Sequence, residues 1–542
     1  MDIRTKRLSP RLAAVLAAAA LITTGCASSG DDTTSGSTGD STVARIQDLS
    51  DGMVNVTEDA GPPVEGGTLS FAAYSEPKAL DPAETIAAVT TGGTELVNIY
   101  DSLMRYDTTE QKVVPEMAKD LEHSDDYRTW TLTLRDGVDF SDGTPVDAGA
   151  VKASQERYVA AKGPEAGLWA ANVVDISIPD DKTVVYTLNK TWPEFDLMLT
   201  SGPGMIVAAS AGAPGDGFTP VGAGPFTLGE WRPGESMTLD ANPDYWNGKP
   251  HLDAVKFVYM PTMEVSKDTF MGGGVDMTFV REPDDVTEML DRGMPGYVNM
   301  TSAGNVYIIN AAPGRPGADP RIRKAIQLAV DPSAVAQRAY GNPEFGEGVL
   351  FPEYSRWHTD APGPTFDPEA AKRLVAEAKA DGVNTTLVSI NAPEQARQQQ
   401  ALALEAQLEA VGFTVDTKIM PTIGDQIRVI AAERDYDLGA WGLAYRESDP
   451  FPKMFATLTS DGKQTYGMPT SPEMDALVNR FQTATDMDQK LQVMAQIQQQ
   501  VNEDVPFINL GYWAEYTTWH KNVHGMVGTS NSMILLGDAW KA

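Results

Sequence analysis

Residues 393–419 read PEQARQQQALALEAQLEAVGFTVDTKI, and they decide the fold class. Residues 393–410 are dominated by good helix formers and predict a helix. Gly412 ends that helix, and residues 413–419 predict a strand. Because a helix that leads directly into a strand is the repeating unit of α/β domains, we expect an α/β architecture.

The same alternation extends in both directions from this stretch. Asp319-Pro320, Asp331-Pro332 and Asp367-Pro368 each place an N-cap before a proline in the first helical turn, and so predict three helix starts. Towards the C-terminus, residues 487–503 predict a long helix and residues 507–513 predict a strand. The second half of the chain is therefore expected to alternate helices with strands.

The chain before residue 310 is instead rich in predicted strands. Residues 67–73 and 182–188 read as strands. Residues 125–140 alternate about Asp136-Gly137, a pair that favours a hairpin turn. A chain of 542 residues is too long for one compact core, so we expect two or three domains.

The N-terminal residues 1–25 predict a lipoprotein signal peptide. A basic segment precedes an apolar run, residues 12–24, that is too short to span a bilayer. Cys26 is the only cysteine of the chain, and it is the residue that we expect to be lipidated. The alternative is a plain secretory segment followed by an unmodified cysteine. With one cysteine, neither an internal disulfide nor a cysteine-based metal site can form.

Residues 26–65 predict a flexible tether between the lipid and the folded chain. Residues 28–42 read SSGDDTTSGSTGDST and contain almost nothing that can be buried. The folded part is expected to begin near Gly66. The formal net charge of −33 repels nucleic acid and anionic lipid head groups, so we expect no nucleic-acid partner.

Common catalytic motifs are absent from the sequence. It contains no Gly-x-Ser-x-Gly elbow, no His-Glu-x-x-His motif and no Gly-Lys-Ser/Thr phosphate loop. His520 and His524 are four residues apart without an evident third ligand, and we interpret them as structural. We therefore expect no catalytic residues, no metal and no cofactor. A catalytic pair of carboxylates stays open, because acids are abundant in this chain.

Several short motifs follow one another in order along most of the chain. They lie at residues 80–82, 96–103, 134–145, 222–226, 242–246 and 319–331. In this order they resemble the large extracytoplasmic solute-binding proteins of ABC importers, the peptide/nickel-binding family 5 that includes oligopeptide- and dipeptide-binding proteins. The resemblance runs from about Gly66 to the end of the sequence.

The resemblance implies a two-lobed α/β periplasmic-binding-protein fold of the class with an extra β-rich subdomain. The ligand cleft lies between the lobes, and residues 306–310 and 507–510 are expected to cross between them. The implied segments are the signal peptide 1–25, the tether 26–65, lobe I 66–305 with a β-rich insertion at about 100–225, lobe II 306–506, and a return to lobe I over 507–542.

The implied function is the capture of an oligopeptide or peptide-like solute by hinge closure. The solute is then delivered to membrane permease subunits that are served by a separate ATPase. We expect a monomer that is lipid-anchored to the outer face of the bacterial cytoplasmic membrane. The alternatives are the same transport role for an oligosaccharide or an opine-like acid, a secreted hydrolase, and a surface sensor.

The ligand site is expected around residues 440–451, AWGLAYRESDPF. In the family a tryptophan loop at this place lines the cleft, and peptide binders commonly carry an aspartate three residues later that pairs with the peptide ammonium. That position is Ala444 here, so the usual anchor is absent. Arg446 stands nearby, and its guanidinium suits a carboxylate. The alternative is that Arg446 pairs at the surface with Glu447 or Asp449.

The resemblance implies a larger set of ligand-binding residues around this loop. They are Tyr74, Ser75, Glu76, Asn310, Trp441, Gly442, Ala444, Tyr445, Arg446 and Trp513. Trp441 is expected to stack on the ligand, with burial in the core as the alternative. Glu76, Glu447 and Asp449 are the candidates to replace the missing ammonium anchor. For the residues outside the loop, hinge packing is the alternative.

Overall fold

The computed structural model of the protein describes residues 49–57, 60–215 and 217–542. The strands in these ranges are β1 (Gly52–Val54), β2 (Thr68–Ala73), β3 (Met104–Asp107), β4 (Lys112–Pro115), β5 (Ala118–His123), β6 (Thr129–Leu134), β7 (Val173–Asp180), β8 (Thr183–Leu188), β9 (Phe226–Arg232), β10 (Ser236–Ala241), β11 (Ala254–Tyr259), β12 (Met277–Val280), β13 (Gly296–Ile309), β14 (Thr386–Asn391), β15 (Thr414–Ile419), β16 (Leu438–Trp441), β17 (Tyr445–Arg446), β18 (Phe507–Trp519), β19 (Val523–His524), β20 (Val527–Gly528), β21 (Ile534–Leu535) and β22 (Trp540–Lys541). The α-helices are α1 (Gly93–Tyr100), α2 (Ala148–Ala160), α3 (Ala166–Asn172), α4 (Met263–Met271), α5 (Pro283–Asp291), α6 (Pro320–Ala329), α7 (Pro332–Tyr340), α8 (Pro368–Ala380), α9 (Gln395–Ala410), α10 (Ile423–Ile427), α11 (Phe451–Leu458), α12 (Pro472–Thr483) and α13 (Met487–Asp504). The predicted signal peptide, Cys26 and the first part of the predicted tether lie outside the described residues.

Aspartate side chains cap the helices that the Asp-Pro pairs predict. Asp319 accepts a hydrogen bond from a backbone amide in the first turn of α6, and Asp331 and Asp367 do the same for α7 and α8. Helix α7 ends at Gly341, whose φ of 71° lies in the left-handed region. These three helix predictions are confirmed, as is α9 within residues 393–410.

A twelve-stranded sheet runs through the described part of the chain. Ten of its strands follow the order β15-β14-β16-β13-β18-β12-β2-β11-β10-β9. The other two, β1 and β17, each pair with β13. The long strands β13 and β18 are antiparallel neighbours at its centre. Beside β13 lie β16, β14 and β15, which follow β13 in the chain, and beside β18 lie β12, β2, β11, β10 and β9, which precede β13. The mixed α/β architecture is confirmed.

A separate four-stranded antiparallel sheet, in the order β5-β6-β8-β7, lies within the predicted β-rich insertion. The predicted hairpin about Asp136-Gly137 is wrong, because β6 pairs with β5 and β8 instead of with the residues after the turn. Gly137 does turn the chain, with a φ of 73°. The turn chemistry was therefore informative, but the strand pairing depends on partners further along the chain.

The chain is ordered before the expected start of the folded part. Strand β1 lies within the predicted tether and pairs antiparallel with β13. The carboxylate of Asp51 accepts hydrogen bonds from Met300 N (2.6 Å) and Asn299 Nδ2 (2.8 Å). The structure differs from the expectation over residues 49–57, because this segment covers an edge of β13 that would otherwise have unpaired amides and carbonyls.

The apolar core consists of several clusters that follow these sheets. One large cluster joins the four-stranded sheet to α11, α12 and α13, and in it the ring centres of Trp192 and Phe451 are 5.5 Å apart. Another lies between β14–β16 and α6, α8 and α9. The predicted β-rich insertion therefore packs against helices from the last fifth of the chain. No helix in the described ranges is both long and apolar enough to cross a membrane.

Candidate functional site

A cavity of about 320 Å³ lies where two pairs of parallel strands end. Strands β2 and β12 are parallel neighbours, and Tyr74 and Arg281 follow them directly in the cavity wall. Strands β14 and β16 are also parallel neighbours, and their ends bring Ala392 and Trp441 to the same cavity. Ligands of open α/β sheets bind outside the carboxyl ends of the strands. This cavity is therefore the candidate functional site.

The cavity wall combines aromatic, apolar and charged side chains. The aromatic residues are Tyr74, Trp441, Phe455, Tyr466 and Trp513, the basic residues are Arg281, Arg397, Arg446, Lys453 and Lys463, and the acidic residues are Glu165, Asp449, Asp461 and Glu515. A mixture of apolar surface and a few convergent polar groups is typical of small-molecule sites. The described residues contain no group of three or more His, Cys, Asp or Glu side chains that could hold a metal ion.

The loop at residues 440–446 is built into the sheet beside this cavity. Trp441 ends β16, and the short strand β17 then pairs with β13 again. Between these two pairings, Leu443 N donates to Ala303 O (3.0 Å). Ala303 in β13 and Ala444 between β16 and β17 have φ values of 47° and 55°, and β13 bulges at this point. The loop therefore follows the cavity wall, and Trp441, Gly442 and Ala444 all line the cavity.

Position 442 has room only for glycine. A Cβ atom there would lie 2.7 Å from Gly304 O in β13 and 2.8 Å from the ring of Trp513 in β18. Both distances are shorter than a van der Waals contact, and the first involves backbone that cannot turn aside. Gly442 therefore allows the loop to pack closely against the two central strands.

Two tryptophans line the cavity from different elements. The half-buried ring of Trp441 meets Tyr466 edge-on, with ring centres 5.3 Å apart. Trp513 is buried, and the guanidinium carbons of Arg281 and Arg397 lie 4.1 Å and 4.8 Å from its ring centre. Trp513 is therefore a cation–π partner, whereas Trp441 keeps exposed ring surface for a ligand.

Arg446 lies in the cavity wall as part of a buried ion pair. Its Nη1 is 2.6 Å from Glu515 Oε2, and the same nitrogen donates to Asn299 Oδ1. The alternative expectation, a surface pairing with Glu447 or Asp449, is wrong, because the β17–β13 pairing turns Arg446 towards β18. The charge of Arg446 is therefore largely neutralised by the protein itself.

Ser75 and Glu76 lie next to the cavity in sequence but not in its wall. Ser75 Oγ donates to Thr90 O (2.8 Å). The carboxylate of Glu76 accepts from Trp231 Nε1 (2.6 Å) and from Gly234 N (2.9 Å), so it holds the β9–β10 turn. Of the predicted segment 74–76, the structure brings Tyr74 alone to the cavity.

Asn310 and Tyr445 also lie outside the cavity wall. Asn310 Nδ2 donates to Tyr436 O (2.9 Å) and thereby fixes the chain before β16. Tyr445 is fully buried, and its hydroxyl lies 3.1 Å from Thr457 Oγ1 of α11. In both cases the side chain is used for packing and turn contacts.

Among the three acids that were candidates for an ammonium anchor, Asp449 is the one that lines the cavity. It accepts from Phe451 N (2.9 Å) at the start of α11, and burial raises its pKa to about 7. Glu447 instead accepts from Ser355 Oγ (2.8 Å), and burial raises its pKa. Glu76 is committed to the β9–β10 turn, as described above.

Several charged residues of the cavity wall were not predicted from the sequence. Arg281 follows β12 as Tyr74 follows β2, so recognition of the apolar residues 277–280 as a strand would have pointed to the basic residue that follows it. Arg397 in α9 and Lys453 in α11 carry no such signal, because helix packing alone brings them to the cavity. Lys453 Nζ donates to Gln464 Oε1 (2.7 Å), and burial lowers its pKa to about 8.

Polar contacts connect the two halves of the structure beside the cavity. Arg397 Nη2 of α9 lies 2.9 Å from Oε1 of Glu282, the residue that precedes α5. Gln482 Nε2 of α12 donates to Oδ1 of Asn172, at the end of α3, over 2.8 Å. Each contact joins a residue from the first 300 positions to one from the last 150.

Residues 112–464 match the family model described as bacterial extracellular solute-binding proteins, family 5, middle region. The chain belongs to this family. Family 5 solute-binding proteins are extracytoplasmic binding components of ABC importers, and they are transport proteins, not enzymes. The expectation from the sequence motifs is thereby confirmed, and the hydrolase alternative is not favoured.

Similar proteins cover nearly the whole of this family 5 chain. The probable D,D-dipeptide-binding periplasmic protein DdpA of Escherichia coli (strain K12) is 26% identical over 471 residues, which are 84% of this chain and 90% of that protein. The oligopeptide-binding protein AppA of Bacillus subtilis, solved with a nonapeptide, has a TM-score of 0.76 at 20% identity over 89% of this chain and 100% of its own. AgaA of A. tumefaciens R10, solved with agropinic acid, has a TM-score of 0.74 at 23% identity over 88% of this chain and 99% of its own. The two-lobed periplasmic-binding-protein fold is confirmed.

Proposed function

We propose that this family 5 protein captures a short peptide or peptide-like solute and delivers it to the permease of an ABC importer. The observation that carries the proposal is the cavity of about 320 Å³ at the carboxyl ends of two parallel strand pairs. Its volume is near the lower end of the range for small-molecule sites, roughly 300–1,000 Å³. A compact solute therefore fits this cavity better than an extended peptide.

The proposed lobes meet at the central strands. Lobe I comprises residues 66–305 with the β-rich insertion at about 100–225, lobe II comprises 306–506, and 507–542 return to lobe I. In this division the Arg397–Glu282 and Gln482–Asn172 contacts each join one lobe to the other. Such contacts favour a closed form, and opening at β13 and β18 would admit the solute.

The names of similar proteins support a peptide-like solute. One relative is described as a probable D,D-dipeptide-binding protein, and one structural neighbour holds a nonapeptide. We propose that Tyr74, Trp441, Gly442, Ala444, Arg446 and Trp513 contact the solute, since these predicted residues line the cavity. Ser75, Glu76, Asn310 and Tyr445 are proposed to support the site from outside it.

The proposed setting is the outer face of the bacterial cytoplasmic membrane. Cys26 would carry the lipid, the following residues would form the tether, and the folded protein would act as a monomer with permease subunits and their separate ATPase. The basic and apolar segments of residues 1–25 support this reading.

Native mass spectrometry of the protein purified without denaturation tests the proposed ligand class. We expect a co-purified solute of the size of a di- or tripeptide. Adding the identified solute back to ligand-free protein is expected to reduce the radius of gyration in X-ray scattering and to raise the melting temperature. A solute that binds tightly and changes neither quantity contradicts capture by hinge closure.

A further inference from the structure

The basic side chains of the cavity differ in whether the protein neutralises them. Arg446 is paired with Glu515 at 2.6 Å, and Arg397 is paired with Glu282 at 2.9 Å. Lys463 is exposed to solvent, and the ammonium of Lys453 donates to Gln464 Oε1 (2.7 Å) and forms no ion pair within 4.0 Å among the described residues. Arg281 forms no ion pair within 4.0 Å with any of the residues described by the structure. Because a guanidinium stays protonated at every physiological pH, Arg281 keeps a full positive charge in the cavity wall.

Arg281 is held in place by two aromatic rings. Its guanidinium carbon lies 4.1 Å from the ring centre of Trp513 and 4.8 Å from that of Tyr74. Its Nε has no hydrogen-bond partner among the described residues. Ring faces offset only part of the cost of removing a cation from water. The site therefore favours a ligand that brings a negative charge to this position.

The nearby acid Glu394 does not remove this preference. Glu394 is buried, and burial raises its pKa, while the charge of Arg281 opposes that rise. No ion pair forms between the two side chains within 4.0 Å in the described structure. Glu394 lies outside the cavity wall, so a ligand reaches Arg281 without displacing it.

We propose that the solute carries a carboxylate that pairs with Arg281 between Tyr74 and Trp513. The proposal deepens the proposed function, since it names a chemical group of the ligand captured in the same cavity. Ala444 supplies no carboxylate at the position of the usual ammonium anchor, and Asp449, the one acid of residues 440–451 that lines the cavity, already accepts a hydrogen bond from Phe451 N (2.9 Å). The ligand class is therefore a compact acid for which a free amino group is not essential.

Matched acids and primary amides test this inference by calorimetry on the full mature protein. The probes are alanyl-phenylalanine, N-acetyl-alanyl-phenylalanine and N-(1-carboxyethyl)phenylalanine, an opine-like acid, each compared with the form in which its carboxylates are amides. We expect each bound acid to bind about 30- to 1,000-fold more tightly than its amide, as is typical when one partner of a buried charge pair is removed. Equal affinity of acid and amide for the wild-type protein overturns the proposal.

Variants of Arg281 test whether this arginine causes the preference for acids over amides. Arg281→Gln is expected to abolish the difference in affinity between acid and amide, and Arg281→Lys is expected to restore part of that difference. Arg292→Gln is the matched control, because Arg292 lies at the end of α5 and pairs with Glu288 on the same helix. A full acid preference in folded Arg281→Gln protein, verified by its thermal transition, overturns the proposal.

The probes separate this inference from the proposed peptide function. If the opine-like acid binds in an Arg281-dependent manner and neither peptide binds, the carboxylate assignment stands and the peptide assignment fails. If the peptides bind equally well as acids and amides, the peptide assignment stands and the carboxylate assignment fails. Absence of binding by every acid counts against both.

Discussion

Glu282→Gln is expected to weaken solute binding although Glu282 lies outside the cavity wall. Its carboxylate pairs with Arg397 at 2.9 Å, and the two side chains are 14% and 6% exposed. In the proposed open form both groups would be solvated separately. The substitution therefore leaves the Arg397 charge buried without its partner in the closed form, and the open form is little affected.

The size of the effect follows from the geometry of this pair. At 2.9 Å and an effective dielectric constant of about 20, the Coulomb attraction is about 6 kcal/mol. Desolvation offsets part of it, and truncation of one partner of such pairs costs about 2–5 kcal/mol. Glu394 also acts on Arg397 and compensates in part, so we expect about 2–4 kcal/mol, or about 30- to 1,000-fold in Kd. The double variant Glu282→Gln/Glu394→Gln is expected to lose more than the single one.

Calorimetry and X-ray scattering on the same preparations measure this effect. We expect a weaker Kd together with a larger radius of gyration at subsaturating solute, and a nearly unchanged melting temperature of the ligand-free protein. Glu288→Gln is the control, because Glu288 is 35% exposed and pairs with Arg292 within α5. Wild-type affinity in Glu282→Gln, or an equal loss in the control, refutes the argument that this ion pair stabilises closure.

Four further predictions concern the loop, the N-terminal segment and the lipid. Trp441→Ala should weaken binding by about 2–4 kcal/mol in calorimetry, since it removes the exposed ring in the cavity wall; unchanged affinity would show that the ring is structural. Ala444→Asp should shift preference from N-acetylated to free-amine peptides, because aspartate tolerates the positive φ at this position and adds a carboxylate to the cavity; an unchanged ratio contradicts this. Burial raises the pKa of Asp51 from 3.8 to about 7, so its stabilising contribution is present below pH 3.8 and is lost as the pH rises to 7. Relative to Asp51→Asn, the wild-type protein should therefore lose at most about 4 kcal/mol of unfolding free energy between pH 4 and pH 8 in urea unfolding, and a difference that does not change with pH contradicts this. Cys26→Ala should release the protein from membranes into the soluble fraction, and retention on the membrane would count against lipid anchoring.

Signals within a few residues predicted the helix starts. Strand pairs were not predicted where the two strands lie far apart in the sequence. The caps at Asp319, Asp331 and Asp367 act within their own helices, so each start was readable from a few neighbouring residues. The turn at Asp136-Gly137 was also readable, but the partners of β6 are set by the whole four-stranded sheet.

The residues of the candidate site divide in the same way into those that local sequence predicted and those that depend on distant contacts. Trp441, Ala444 and Gly442 were found because they lie in one short loop next to a predicted strand. The ion pair that neutralises Arg446 was not predicted, because Glu515 lies 69 positions further along the chain. The pairing of β18 with β13 brings Glu515 to Arg446. Arg281 had a usable signal at the end of a parallel strand, whereas Arg397 depends on how α9 packs.

Strand β1 and Asp51 dock on β13, and this contact determines where the tether that begins at Cys26 would join the folded protein. The chain between Cys26 and Asp51 spans at most about 90 Å even when fully stretched, so a lipid on Cys26 would confine the protein to a shallow layer above the membrane. The tether would end on residues 296–300 of β13, in lobe I of the proposed division and before the proposed crossing at 306–310. Lobe I would then be the lobe restrained by the lipid, lobe II would move relative to it, and the ligand cavity between them would remain within a fixed reach of the membrane throughout the cycle.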